Sequence, residues 1–169
     1  MIDKKEAVRQ INDIFKAYKS FTVKDKTSIA KLKNGKLYEI YVLSQLLKEL
    51  KANGYTIFFN GKKLKFKEKG GFVKQSDSHF DIIRPDGEAF QIFVDIYFRS
   101  MGESRGATSD RSCFHELDIA IIEPDLDDES PQHNQVYLAI ECKDVAIFKK
   151  SIVREVLGLR RELSFLIYK

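Results

Sequence analysis

Gln135–Lys143 reads QVYLAIECK. Val136, Leu138, Ile140 and Cys142 alternate with Tyr137, Ala139, Glu141 and Lys143. That is the two-residue period of a β-strand, and its end carries charge on an otherwise apolar run. Glu141 and Lys143 are two apart, so they project from one face. A carboxylate and an ammonium at the end of a buried strand are costly unless something uses them. Metal-dependent phosphodiester hydrolysis is one such use. The carboxylate holds a divalent cation, and the lysine offsets charge at the attacked phosphate or helps orient and deprotonate a water. Phe114–Ile122, FHELDIAII, has the same pattern, with Leu117, Ile119 and Ile121 set against Glu116, Asp118 and Ala120. Roughly twenty residues separate Asp118 from Glu141, enough for two strands and a loop, which predicts an antiparallel pair. Side by side, Asp118, Glu141 and Lys143 converge.

An Asp followed by Glu-x-Lys on neighbouring strands resembles the PD-(D/E)XK nuclease superfamily, the restriction-endonuclease-like fold. That family commonly adds a glutamate from a helix before the sheet, and Glu39 in KLYEIYVLSQLLKEL stands there. The family core runs helix, three strands, helix, strand. Here a helix over Val145–Glu162 and a strand over Ser164–Tyr168 follow the motif. The resemblance covers residues 36–168. It departs at Leu117, where the family name has Pro, and in the length between Glu39 and Asp118, which predicts an inserted β-hairpin at residues 55–75.

The resemblance implies an α/β fold: a central mixed β-sheet flanked by helices, with residues 1–34 as an N-terminal helical extension. It implies a Mg²⁺-dependent endonuclease acting on DNA, with Mn²⁺ able to substitute, in restriction or another anti-invader role. Asp118 and Glu141 would hold the metal, with the backbone carbonyl of Cys142 as a further oxygen ligand. Glu39 would act on the metal shell directly or through water, and Lys143 would support the attacking water. Alternatives are a structure-selective nuclease, such as a Holliday-junction resolvase or an RNase, or a catalytically silent nucleic-acid-binding module. Cutting both strands of a duplex often needs a homodimer, which is a further expectation.

The 169 residues, 43% of them hydrophobic, suit one domain with a sizeable core. No apolar run of about eighteen residues predicts a membrane span, and MIDKKEAVRQ lacks a signal segment, which predicts a cytoplasmic protein. Cys113 and Cys142 argue neither a disulfide frame nor a zinc site. A net charge of +4 permits an anionic partner without demanding one.

Along the chain, residues 3–19 and 36–53 have helical spacing, and Gly54 stops the second helix. Tyr55–Phe59 predicts a strand, with Asn60-Gly61 as a hairpin turn. Lys62–Val73 alternates so that Lys63, Lys65 and Lys67 share a face. They either track phosphates or guard an edge strand against aggregation. Ser78–Arg84 and Glu88–Arg99 predict strands joined by Pro85-Asp86-Gly87. In the second, Phe90, Ile92, Val94, Ile96 and Phe98 are expected on one face, and Gln91, Phe93, Asp95, Tyr97 and Arg99 on the other. Asp81 and Asp95 rival Asp118 for the aspartate role, and Asp95 ranks below it. The loop Ser100–Ser112 brings Arg105 and Arg111 towards the Asp118 strand, and Glu123–Asn134 is an acidic, solvated turn. On the last helix, Phe148, Ile152, Val156, Leu159 and Leu163 form the apolar face, and Lys149, Lys150 and Arg154 are candidates for phosphate contacts.

Overall fold

The computed structural model describes residues 4–18, 34–61, 64, 70–101, 113–143, 145 and 149–163. Two helices, α1 (Lys4–Ala17) and α2 (Asn34–Ala52), precede five strands: β1 (Thr56–Asn60), β2 (His79–Ile83), β3 (Ala89–Arg99), β4 (Phe114–Ile122) and β5 (Val136–Ile140). A 3₁₀ turn at His133–Gln135 leads into β5, and α3 (Lys150–Leu163) follows. The strands lie side by side in chain order.

Burial explains the layering. Leu37, Ile40, Leu43 and Leu47 recur at helical spacing on α2, and all are buried. With Ile11 of α1 they cover Phe80, Ile82, Phe90, Ile92, Val94, Ile119 and Ile121 of the sheet. Each fully buried aliphatic side chain here contributes about 1.5–3 kcal/mol. A second cluster gathers Phe93, Ile96, Phe98, Leu117, Ala120 and Ile122, with Leu159 and Leu163 of α3 packed against it. Helix α2 stops as its glycine demands. Gly54 has φ +83°, its N–H donates to Lys51 O at 3.1 Å, and the N–H of Tyr55 donates to Leu50 O at 3.0 Å. These two bonds satisfy carbonyls that the helix leaves open.

Several expectations need correction. Among the described residues the sheet is antiparallel rather than mixed: every pairing between the five strands is antiparallel. Among those residues, parallel contact is confined to isolated bridges at Gly71–Ile96 and Arg99–Gln132. Each strand turns back to pair with the next, whereas a parallel neighbour needs a crossover of about a dozen residues or more. The expected strand at 164–168 lies outside the described residues.

Strand β1 pairs along its whole length with β2, from Thr56↔Ile83 to Asn60↔His79, and most of the second arm of the hairpin expected at 55–75 (62–63 and 65–69) lies outside the described residues. A two-residue turn at Asn60-Gly61 needs positive φ at both positions, and Asn60 is not among the positive-φ residues. Its side chain is instead tied to His79 and Asp81. Farther along, Gly71–Val73 runs beside the part of β3 that β2 does not reach, with Tyr97 N–H donating to Gly71 O at 2.9 Å. The turn at Pro85-Asp86-Gly87 is as predicted, with Gly87 at φ +94° and Arg84 N–H donating to Glu88 O at 2.8 Å.

The acidic turn is partly docked rather than simply solvated: Asp127 accepts Gln75 N–H at 2.7 Å, and Leu126 is buried. Among the described residues, no helix is long and apolar enough to cross a membrane.

Candidate functional site

The site begins with a break in strand alternation. Phe90, Ile92 and Val94 face the helices α1 and α2, but Ile96 and Phe98 join the second cluster with Phe93. The parity of β3 therefore reverses between Val94 and Ile96. Asp95 sits at the reversal with φ +52°, a left-handed conformation that Asp tolerates better than most residues. Its carbonyl accepts the N–H of Gly71 at 3.2 Å, which helps to hold the bend. Strand β4 reverses opposite it. Leu117 joins the second cluster, whereas Ile119 faces the helices. Paired positions Val94↔Ile119 and Ile96↔Leu117 flank Asp95 and Asp118, which stand across from each other. The expected single-face division of both strands thus fails at these two aspartates.

Both carboxylates meet Glu39 of α2. The oxygens of Glu39, Asp95 and Asp118 lie within 4.8 Å of one another. Asp95 is 1% exposed. Lys36, one turn before Glu39, donates to Asp95 Oδ1 at 2.8 Å and also contacts Glu39 Oε2. Asp118 is engaged differently: its Oδ2 accepts the backbone N–H of Cys142 at 2.6 Å. That bond holds Glu141–Lys143 against β4, although β5 itself ends at Ile140. Lys143 Nζ lies 3.2 Å from Glu141 Oε2 and 3.2 Å from Glu155 Oε1 of α3.

Burial and crowding set the protonation of the group. Burial, together with the charge of Asp118, pushes the Glu141 carboxyl up to about 7. Glu39 is also raised, mainly by burial, with Asp118 and Asp95 adding to it against the pull of Lys36. Burial alone would lower Lys36, but its bonds to Asp95 and Glu39 outweigh that and raise it. Lys143 is raised in the same way by Glu155 and Glu141. Burial, with Asp118 nearby, pushes the Cys142 thiol up to about 12, so it stays protonated.

An open cleft of about 720 Å³ adjoins this cluster, and Lys36, Glu39, Asp118, Glu141 and Lys143 line it. Its wall on α3 carries Glu155, Val156, Gly158, Leu159 and Glu162. Of the residues singled out from sequence, Glu39, Asp118, Glu141 and Lys143 come together here. Lys149, just before α3, and Lys150 and Arg154 on it are exposed, and Val156, expected in the core, is 45% exposed. Lys63, Lys65, Lys67, Arg105 and Arg111 lie outside the described residues. Lys36 is the addition. Asp95, a carboxylate inside the apolar run of β3 that ranked from sequence below Asp118 as its rival, stands beside Asp118 rather than in its place.

No family model, no curated protein and no solved structure matches this chain.

Proposed function

We propose that the chain is a Mg²⁺-dependent nuclease of the PD-(D/E)XK type that hydrolyses phosphodiester bonds in DNA, in restriction or another anti-invader role. The observation that carries this reading is the convergence of Glu39, Asp118, Glu141 and Lys143 on one open cleft, with the buried Asp95 grouped with Glu39 and Asp118 beneath it. The donor set fits a hard divalent cation. It offers carboxylate oxygens only, the ligands that suit Mg²⁺ or Mn²⁺ better than Zn²⁺. Glu39, Asp95 and Asp118 would hold the ion, with Glu141 and the Cys142 carbonyl at its side. A bound ion supplies a water of lowered pKa and offsets charge on the attacked phosphate.

The remaining work falls to the protein. The Cys142 N–H fixes the Asp118 carboxylate and keeps the Glu-x-Lys segment in register with it. Lys143, raised by its two glutamates, remains an ammonium and places positive charge at the cleft mouth. Asp95 pairs with Lys36 at the base of the group. The restriction-endonuclease-like core is part of the proposal, and the order α2, β4, β5, α3 supports it.

The experiment is cleavage of supercoiled plasmid, a four-way junction and RNA in Mg²⁺ and in Mn²⁺, with Asp118→Asn and Glu141→Gln alongside. Cleavage of plasmid by the natural chain, lost at least about 100-fold in both variants, is expected. Cutting confined to junctions or RNA replaces the substrate assignment. DNA binding without cutting in either metal overturns the enzyme reading in favour of a binding module.

A further inference from the structure

We infer that Lys36 is a built-in counter-ion of the carboxylate cluster, which a divalent cation must displace to enter. This rests on the metal reading above. Three carboxylates with oxygens within 4.8 Å of one another repel strongly when all are ionised. The Lys36 ammonium bridges two of them, contacting Glu39 Oε2 and lying 2.8 Å from Asp95 Oδ1. A cation bound to Glu39 and Asp95 draws a carboxylate oxygen of each to about 2.0–2.6 Å, so it competes with the ammonium for the same two carboxylates. Asp118 Oδ2 takes the Cys142 N–H, and that bond survives the exchange.

Lys36 can move. Its side chain is 24% exposed, against 1% for Asp95, and it lines the cleft. An ammonium on a flexible stem is a movable point charge rather than a fixed fork. Lysine in and metal out is therefore one state, and metal in with lysine turned to the cleft is the other. The first keeps the cluster folded without metal. The second leaves a cation facing a bound phosphate.

The test measures Mn²⁺ affinity by calorimetry for the natural chain, Lys36→Gln and Lys36→Arg. It also measures methylation of the Lys36 amine in the natural chain, with EDTA or with Mg²⁺. Removing the competitor should tighten Mn²⁺ binding about tenfold in Lys36→Gln, while Lys36→Arg stays near the natural chain. Lys36 should become several-fold more reactive in Mg²⁺. The methylation measurement needs no variant to fold. If the natural chain binds Mn²⁺ but Lys36→Gln binds no tighter, or if Mg²⁺ leaves Lys36 reactivity unchanged, the exchange is overturned while the metal site stands. If neither the natural chain nor Lys36→Gln binds Mn²⁺ at millimolar concentration, the metal reading falls and the exchange falls with it.

Discussion

Glu141 is the residue whose environment has the clearest measurable consequence. Its carboxyl stands at about 7 in the fold against an ordinary 4.5, because burial and Asp118 disfavour its charge. The folded chain therefore holds a proton there more tightly than the unfolded chain does. Stability from this group is fully present below about 4.5 and is lost as pH rises towards about 7. The loss should be about 2 kcal/mol once solvent screening is allowed for. Urea melts of the metal-free chain across this range should show that decline, and Glu141→Gln should flatten it. Added Mg²⁺ should flatten it too, since a cation favours the ionised form. A decline unchanged in the variant would assign it to another group. At this scale much of the site was legible. Glu39, Asp118, Glu141 and Lys143 each interrupt an apolar pattern with a charge that a core does not want. Lys36 was not legible, because its partners come together only when α2 lies on β3. Asp95 was visible but misdirected, because a positive φ at one residue reverses every side chain beyond it.

Between elements, a hydrogen bond ties the segment that follows β5 to β4. The Cys142 N–H donates to a carboxylate of Asp118 at 2.6 Å, and a bond to a charged acceptor is worth about 1.5–3 kcal/mol. Asp118 also crowds Glu39 and Asp95, so its charge costs stability when no cation is bound. Two substitutions separate these effects. Asp118→Asn keeps an acceptor oxygen and removes the charge, so the metal-free melting temperature should equal or exceed that of the natural chain. Asp118→Ala removes both and leaves the Cys142 N–H without its acceptor, so it should melt lower than Asp118→Asn by about 1–2 kcal/mol. Both should lose cleavage. Equal melting of the two variants would mean that the bond contributes nothing to holding the Glu-x-Lys segment. The pairing of β4 with β5 followed from alternation together with the roughly twenty residues between Asp118 and Glu141, since two apolar strands with a short connection have few other ways to pair. The partner of β1 did not. Asn60-Gly61 is a strong local turn signal, yet β1 pairs with β2, which packs the half-buried Ile57 and Phe59 against the core beneath α1 and α2.

For the whole molecule, the balance of charge at the cleft decides how an anion reaches it. Net charge is +4, but Glu39, Glu116, Asp118, Glu141, Glu155 and Glu162 line the cleft against Lys36 and Lys143. A phosphate entering it without a cation would meet mostly carboxylates, and repulsion at such short range is little screened by salt. Basic residues lie elsewhere, with Lys149 exposed just before α3 and Lys150 and Arg154 exposed on it. DNA binding should therefore have two separable parts. Contacts from the exposed basic residues are long-ranged and should weaken steeply with salt. Seating of the scissile phosphate should need a divalent cation, which turns an acidic cleft into a phosphate site. Affinity for a short duplex, measured by anisotropy at fixed ionic strength, should rise at least about tenfold when Ca²⁺ replaces EDTA. Asp118→Asn should abolish that increment and keep the salt slope. A triple change of Lys149, Lys150 and Arg154 to glutamine should do the opposite, lowering the slope by up to about 3 while the Ca²⁺ increment remains. If Ca²⁺ makes no difference to the natural chain, the phosphate is not seated among these carboxylates, and DNA would be held by the outer basic surface alone.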